Sequence, residues 1–506
     1  MRRDLEKLKR QTFDLLVIGG GINGAAIAHL AALRGLKTAL VEKNDFASGT
    51  SSKSSKLMHG GIRYLENFQF SLVREALRER HFHVKALPYL VQPLPFIIPV
   101  YRGDRRPLWM MRAGVFLYDL LAGSKNIGRH RSLTTAQVLE MEPSLNPEGL
   151  QGGVLYYDAL MDDVRVCLEN VLSAAERGAV CANYVEVTGF IKENGRVAGV
   201  TARDLLCGDA PGAMQIHARR VVVCSGAWTN KLLKLDDANA PERVRPTKGV
   251  HLIIDQKISE RALLIPARRD KRIFFVIPWK TGTMIGTTDT DFTGAPDHVK
   301  AEAEDLDYLL QEAARVFPAL DLSNHDIRMS FAGLRPLLRH EGTASGISRE
   351  HEIFESSSGT TYIAGGKYTT YRAIAEDFVG RLISGPSIEK FFGGGSRENA
   401  DTLASRYHVS LETAEYLSGL YGSRAVDVLK LVDKNPELGQ AVSPAYPAIM
   451  AQLHYSRDVE MASTVEDVLA RRLVLAYAPG KAAEAVPAFL RRLEEMGFKK
   501  HPISFV

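Results

Sequence analysis

The N-terminal segment places an alanine-rich stretch between two apolar runs. Residues 13–18 form a short run rich in Leu, Val and Ile that ends in glycines, which predicts a buried strand. Residues 22–34 are rich in Ala and Leu, and Gly35 follows where a helix C-cap is expected, so they predict a helix. Residues 36–42 predict a second strand. Together these elements predict a βαβ unit at the start of the chain.

The same segment meets a simple length criterion for a membrane span, because the 19 residues 15–33 contain no Asp, Glu, Lys or Arg. Four glycines and Asn23, however, interrupt the apolar run within residues 19–24. A strand, a tight turn and a helix explain that order better than a span does.

Later patterns predict a second sheet. A loop rich in Ser, Gly and Lys is predicted over 48–61, a helix over about 71–85, and a change of structure at the proline-dense residues 88–99. Apolar runs separated by Gly and Asp turns favour a mainly antiparallel sheet beside the parallel one. These runs are residues 180–187, 197–203, 219–224, 251–255, 273–277 and 283–288.

The C-terminal part of the chain is predicted to be a separate helical domain. Gly393-Gly-Gly395 is typical of a linker, and Ser463-Thr-Val-Glu466 has the form of a capping box. The predicted helices are residues 411–420, 425–432, 464–477 and 482–496.

Composition narrows the function. The chain has 506 residues, 45% hydrophobic and 24% charged, with a formal net charge of +5. This mild excess allows an acidic substrate or an anionic membrane face, but no basic block indicates nucleic acid. Cys167, Cys181, Cys207 and Cys224 form no CxxC pair, so no metal site is predicted and free thiols in a reducing compartment are expected. Because no apolar stretch of a signal peptide precedes residue 13, export is not expected.

A glycine turn between the first strand and helix indicates a dinucleotide site. Gly19, Gly21 and Gly24 fit GxGxxG, which lets the backbone approach a pyrophosphate at a helix N-terminus. Glu42, at the end of the next strand, is placed to accept from ribose hydroxyls and disfavours the 2′-phosphate of NADP. An NAD enzyme with this single site would leave the Ser/Lys loop and a late glycine corner unexplained. The pattern therefore favours FAD.

Two later strands also end in glycine corners, in residues 219–228 and 362–372. Each alone is equally compatible with an ordinary strand–turn–helix corner. A helix N-terminus aimed at a reduced flavin would stabilise its anionic edge.

The chain resembles the FAD-dependent glycerol-3-phosphate dehydrogenases along nearly its whole length. The matching segments are residues 18–28, 34–35, 50–56, 59–66, 274–279, 285–289, 333–336, 365–375 and 464–472.

The resemblance implies an α/β fold. A Rossmann-like FAD-binding domain of the glutathione-reductase/D-amino-acid-oxidase type is interleaved with a mainly antiparallel β substrate domain, and an all-α cap domain follows. The expected boundaries are 1–90, 150–245 and 355–392 for FAD, 91–149 and 246–354 for substrate, and 393–506 for the cap.

The resemblance also implies oxidation of sn-glycerol 3-phosphate by hydride transfer from C2 to FAD. It assigns Arg63 and Arg349 to the phosphate, Tyr64 to the pocket wall and Arg335 to the reacting oxygen. A base must take the hydroxyl proton, and His59, His251 and Lys367 stay open as candidates. The expected FAD-binding residues are Gly19, Gly21, Gly24, Glu42, Ser51, Ser52, Ser55, Lys56 and Gly366.

A membrane quinone is the implied electron acceptor, for an enzyme in the cytoplasm bound peripherally to the inner face of the cell membrane. Residues 101–118 combine four Arg with Trp109, Met110, Met111 and Phe116, which suits an anionic membrane surface. A packed helix with a solvated basic end explains this composition at least as well. A homodimer is also compatible with the sequence.

Three alternatives remain. A glycerophosphate oxidase would pass electrons to O₂, although that group carries an insertion for which 506 residues leave little room. A flavin-binding protein without dehydrogenase activity is a second alternative. An amine or amino-acid oxidase is disfavoured because it does not need two phosphate-directed arginines.

Overall fold

Helices and strands alternate along most of the chain. A computed structural model describes residues 1–207, 212–320, 322–323, 326–339, 351–385, 391–477 and 481–499. Within these ranges the α-helices are α1 (Leu5–Arg10), α2 (Ile22–Leu33), α3 (Phe70–Ala86), α4 (Leu108–Ala122), α5 (Thr135–Met141), α6 (Asp163–Glu176), α7 (Thr229–Asp236), α8 (Ala303–Val316), α9 (Tyr371–Leu382), α10 (Ala400–Tyr407), α11 (Leu411–Tyr421), α12 (Ala425–Lys434), α13 (Met450–Asp458) and α14 (Lys481–Glu495).

The strands of the same ranges are β1 (Leu15–Ile18), β2 (Thr38–Val41), β3 (Leu57–Met58), β4 (Val91–Tyr101), β5 (Arg131–Leu133), β6 (Leu150–Met161), β7 (Val180–Ala182), β8 (Val185–Glu193), β9 (Arg196–Asp204), β10 (Ala213–His217), β11 (Val221–Val223), β12 (Val244–Ile254), β13 (Ala262–Pro266), β14 (Ile273–Trp279), β15 (Gly282–Gly286), β16 (Thr290–Asp291), β17 (Ile327–Leu338), β18 (His351–Glu355), β19 (Thr361–Gly365), β20 (Ala441–Ser443) and β21 (Tyr446–Ile449).

A six-stranded sheet contains the strands of the predicted βαβ unit. Its order is β18-β19-β11-β1-β2-β7, parallel except for the edge strand β18. Strands β1, β2, β7 and β11 are fully buried, and β1, β2 and β11 are rich in Val, Ile and Leu, as expected for a parallel sheet covered on both faces. The predicted βαβ unit is confirmed as β1, α2 and β2, which also rules out a membrane span over 15–33. None of the helices in the described ranges combines the length and apolar character needed to cross a bilayer.

The second large sheet is mainly antiparallel, as predicted. Its order is β16-β12-β15-β14-β13-β4-β6-β3, with β17 added to β12 and β5 to β6, and β4 and β13 are its parallel pair. Of the six runs predicted for it, 251–255, 273–277 and 283–288 overlap its strands β12, β14 and β15. The other three do not join it: β7 and β11 belong to the parallel sheet, and β8 and β9 form a separate antiparallel sheet with β10. Two further predictions needed correction. The run 180–187 is split into β7 and β8, because Tyr184 has a positive φ of 55°, and the loop 48–61 contributes the short strand β3. Strands β3 and β6 belong to this second sheet, although the segments that contain them were predicted for the FAD domain. The exact domain boundaries stay a prediction.

The C-terminal part has its own hydrophobic core, formed by α10–α14 and the β20–β21 hairpin. The predicted helix over 464–477 is wrong as a continuous element: Asp467–Arg472 is a π-helical turn, and Val474, at φ 54°, separates it from a short 3₁₀ turn. The capping box is also shifted by one residue. Thr464 Oγ1 accepts from the Asp467 N–H at 3.1 Å, and Asp467 Oδ2 accepts from the Thr464 N–H at 2.9 Å.

Candidate active site

A cavity lies where the carboxyl ends of the parallel strands approach the second sheet. Its walls come from the β1–α2 turn, the segments after β2 and β11, the loop before β3, strands β12 and β17, and the β19–α9 corner. A second cavity, walled mainly by the antiparallel sheet, shares Ser55, Leu57, His59, Tyr64 and Arg335 with the first. The two cavities therefore meet at these five residues.

The glycine turn brings bare backbone to the first cavity. Gly19 has a φ of 109°, and a Cβ there would lie 2.6 Å from the carbonyl oxygen of Cys224. At Gly24, which packs behind the cavity wall, a Cβ would lie 1.9 Å from the carbonyl oxygen of Gly19. Gly21 lines the cavity at the start of α2, where N–H groups without partners inside the helix favour a phosphate.

Glu42 follows β2 and contacts this turn directly. Its carboxylate accepts from the Gly20 N–H at 2.7 Å and from the Asn44 N–H at 2.8 Å. Each carboxylate oxygen retains a second lone pair that a ribose hydroxyl could use. Burial raises the pKa of the Glu42 carboxyl, and the two backbone donors oppose that rise.

Some residues of the Ser/Lys loop line the cavity, and others are buried behind its wall. Ser51 and Ser55 line the cavity, and Ser51 Oγ also accepts from the Ile22 N–H at 2.9 Å. Ser52 and Lys56 are buried behind the wall, where Lys56 Nζ binds Asp163 Oδ1 at 2.6 Å and the Ser52 carbonyl at 2.7 Å. The structure thus places Lys56 in a buried ion pair that supports the loop.

The β19–α9 corner forms another part of the wall. Gly365 and Gly366 have φ values of 72° and 81°, so the chain turns sharply before α9. Gly366 and Lys367 line the first cavity, and Lys367 Nζ lies 3.7 Å from the centre of the Tyr64 ring. At this distance the Lys367 side chain and the Tyr64 ring form a cation–π contact.

Arg335 lies where the cavities meet. Its Nη1 pairs with Asp289 Oδ1 at 3.0 Å, and its Nη2 donates to Thr287 Oγ1 at 2.9 Å. Arg63 and Tyr64 line the second cavity with it, and the Arg63 guanidinium lies 5.9 Å from the Tyr64 ring centre. Arg349 lies outside the described residues.

The three base candidates have different environments. His59 lines both cavities, and its backbone N–H donates to Thr369 Oγ1 at 3.2 Å. His251 and Lys367 line the first cavity. His251 Nε2 lies 2.8 Å from Ser55 Oγ, and its ring stacks on Phe331. Burial, with the positive charge of Arg335 and Lys56, holds the pKa of His251 well below its usual range, so its imidazole is neutral.

The second cavity also contains polar residues that the sequence did not single out. Asp289 holds Arg335, and Arg272 donates to the Asp289 carbonyl oxygen. Asp158 binds the Tyr118 hydroxyl at 2.7 Å and the Gly60 N–H at 3.2 Å. Asp289 stands within a segment that carried the family resemblance, and this was the available signal for it. Arg272 and Asp158 had no such signal because their neighbours come from distant strands.

Together these residues fit a dinucleotide. The first cavity offers a glycine turn, a helix N-terminus and a carboxylate at one end, and His59, Lys367 and Arg335 at the other. Such a cavity accommodates a long cofactor with its diphosphate at α2 and its reactive end near the second cavity.

Comparisons with known proteins agree with this arrangement. The family described as "FAD dependent oxidoreductase" matches residues 14–372, and "C-terminal domain of alpha-glycerophosphate oxidase" matches residues 388–497. A glycerol-3-phosphate dehydrogenase from Synechocystis is 37% identical over 94% of this chain and 91% of its own length.

Two further relatives extend the comparison. The mitochondrial glycerol-3-phosphate dehydrogenase of Homo sapiens is 36% identical over 96% of this chain and 70% of its own length. The crystal structure of a glycerol-3-phosphate dehydrogenase from Bacillus halodurans, complexed with FAD, superposes with a TM-score of 0.79 at 31% identity. That match covers 98% of this chain and 94% of the other.

Proposed function

Because the chain belongs to the FAD-dependent glycerol-3-phosphate dehydrogenases, we propose that it oxidises sn-glycerol 3-phosphate to dihydroxyacetone phosphate. A hydride leaves C2 of the substrate and the hydroxyl proton leaves to a base, so the alcohol becomes a ketone. FAD, bound along the first cavity, supplies the hydride acceptor. The observation that carries this proposal is the junction of the two cavities, where His59, Tyr64 and Arg335 line both.

In the proposed reaction, the Arg335 guanidinium contacts the substrate hydroxyl oxygen that becomes the ketone oxygen. Developing negative charge on that oxygen is stabilised by a fixed guanidinium. Asp289 and Thr287 hold this guanidinium from behind, which limits its freedom to turn away.

His59 is the proposed base. Among the three candidates it is the one that lines both cavities. Lys367 lines only the first of the two cavities, and its Nζ packs on the face of the Tyr64 ring. Ser55 already engages Nε2 of His251.

Arg63 and Arg349 are the proposed phosphate ligands. A phosphate dianion is best bound by planar guanidinium groups that donate in pairs. Arg63 lines the second cavity beside Tyr64, and this position supports its assignment to the phosphate.

Anaerobic titration with glycerol 3-phosphate tests the proposal. We expect bleaching of the visible flavin absorption with one equivalent of dihydroxyacetone phosphate formed. Unchanged absorption would contradict it and support a flavin-binding protein without dehydrogenase activity.

We propose a membrane quinone as the electron acceptor and a peripheral position on the inner face of the cell membrane. Helix α4 supports this position because it has two apolar faces. At about 100° per residue, Val115, Tyr118 and Ala122 share the face that is buried, whereas Trp109, Phe116 and Leu120 share the opposite face. Those three side chains are 67%, 60% and 65% exposed.

Charge around α4 agrees with an anionic surface. Arg112 on α4 and Arg102 and Arg105 on the segment before it are exposed, and so is Phe68 on the segment before α3. Exposed aromatic and basic side chains on a helix and the segments beside it are typical of interfacial binding.

Electron transfer to O₂ is the second candidate, because the C-terminal family is described from a glycerophosphate oxidase. Hydrogen peroxide released per substrate oxidised separates the two. Near-stoichiometric peroxide would identify an oxidase, whereas turnover that depends on added quinone would support the dehydrogenase.

A further inference from the structure

The segment that follows β2 forms the nucleotide end of the first cavity. Glu42, Lys43, Asn44, Ser48 and Gly49 line it. Its path is set by short backbone bonds: the Ala47 N–H donates to the Gly20 carbonyl at 3.0 Å, and the Ser48 N–H donates to the Asp45 carbonyl at 3.1 Å.

Asp45 anchors this segment from the side away from the cavity. Its side chain is fully buried and receives bonds from two arginines of the C-terminal part. Arg472 donates through Nη1 to Oδ2 and through Nη2 to Oδ1, both at 2.7 Å. Arg471 donates through Nε to Oδ2, also at 2.7 Å. The carboxylate is thus fixed in position and direction.

The two arginines are themselves held. Arg471 pairs with Asp467 and Glu466 at 2.6 Å, and Arg472 Nη2 donates to the Glu460 carbonyl at 2.8 Å. Burial alone would raise the pKa of Asp45, but Arg472 and Arg471 bring it below its usual value, so the carboxylate stays ionised. The π-helical turn Asp467–Arg472 brings these consecutive arginines onto the same carboxylate.

We infer that Arg471 and Arg472 are positioning residues for FAD, because through Asp45 they fix the Glu42–Gly49 segment against the cofactor cavity. The C-terminal domain then supports the cofactor cavity from behind its lining. This inference concerns FAD retention and does not depend on which substrate reduces the flavin.

A matched control exists within the same chain. Arg424 also lies in the C-terminal part, is also buried, and pairs with Glu169 at 2.8 Å and with Glu176 on α6. Its partners do not line the cavity. Loss of Arg424 therefore removes a buried ion pair without touching the segment after β2.

The rate at which the holoenzyme releases FAD tests the inference. It is measured by the gain of flavin fluorescence after dilution, at a temperature below the melting temperature of every variant. We expect Arg472→Met to release FAD about tenfold faster than the wild type and Arg424→Met to release it at the wild-type rate, although both lower the melting temperature. Arg472→Lys, which keeps the charge but loses the paired geometry, is expected to fall between Arg472→Met and wild type.

Equal release rates for Arg472→Met and Arg424→Met would overturn the inference and leave the arginines as a structural clamp. If Arg472→Met does not fold, Asp45→Asn decides, since it keeps the size of the anchor and removes its charge. Faster release supports the inference, and wild-type release refutes it. Failure of glycerol 3-phosphate to bleach the flavin would overturn the proposed function and leave this measurement unaffected.

Discussion

Arg335 and Asp289 form an ion pair, 3.0 Å between Nη1 and Oδ1, at the junction of the two cavities. Both side chains are largely shielded from solvent. The pair fixes the guanidinium in the place where we propose that the substrate oxygen becomes negative. Loss of the carboxylate should therefore reduce catalysis with less effect on cofactor binding.

We expect Asp289→Asn to lower kcat about tenfold or more, because a loosely held donor stabilises the transition state less well. Steady-state kinetics with a soluble acceptor, alongside FAD content, measures this. Asp291→Asn is the control, since Asp291 pairs with Arg245 on the exposed side of the same region. An equal loss in both variants would contradict the role assigned to the pair.

Arg63→Ala should weaken substrate binding while FAD is retained. Removing one charge-assisted partner of a phosphate typically costs ~2–5 kcal/mol, so we expect a KM for glycerol 3-phosphate raised by at least thirtyfold. Arg219→Ala, at an exposed pair with Asp14, is the control. The same measurement on Arg349→Ala tests the second predicted phosphate ligand. An unchanged KM would remove that residue from the phosphate site.

Local features of the sequence predicted where the glycine turn and Glu42 lie in the fold. The glycine turn and Glu42 lie within one βαβ unit, so their spacing is set by elements that neighbour each other in the chain. The position of Arg335 at the cavity was expected from the family resemblance. Its partners Asp289 and Thr287 were not, because they depend on how β15 and β17 align through β12.

The remaining differences between the sequence predictions and the structure involve ion pairs between residues that are distant in the chain. Lys56 was expected to bind FAD, but Asp163, at the start of α6, holds its ammonium. The spacing of the Ser/Lys loop carries no information on α6. In the same way, nothing near residues 464–477 indicates that Asp45 binds Arg471 and Arg472.

Lys56→Met should destabilise the fold, because it leaves the Asp163 carboxylate buried without its cation. Breaking such a pair costs ~3–5 kcal/mol. Burial already raises the pKa of Asp163 in the folded protein, and loss of Lys56 raises it further. When the pKa of the carboxyl is higher in the folded than in the unfolded protein, ionisation favours the unfolded state. The loss of unfolding free energy in Lys56→Met should therefore be small near pH 4, the ordinary pKa of an aspartate being about 4, and should grow as the pH rises above that value.

Urea unfolding of wild type and Lys56→Met at several pH values measures this dependence. Lys56→Arg keeps the charge and is the matched control, with a smaller loss expected. A destabilisation that is the same at every pH would contradict an ionised Asp163 as its cause.

The outward apolar face of α4 should carry the contact with the membrane. We expect the double variant Trp109→Ser, Phe116→Ser to lose binding to vesicles that contain anionic lipid, because each aromatic side chain contributes ~1.5–3 kcal/mol when it leaves water. Turnover with a soluble acceptor should stay at the wild-type level, since the inward face of α4 is untouched. Leu411→Ser, which changes an exposed apolar residue of the C-terminal part, is the control. Vesicle flotation measures the bound fraction, and added salt should weaken binding through Arg102, Arg105 and Arg112. Full binding of the double variant would place the membrane contact elsewhere on the protein.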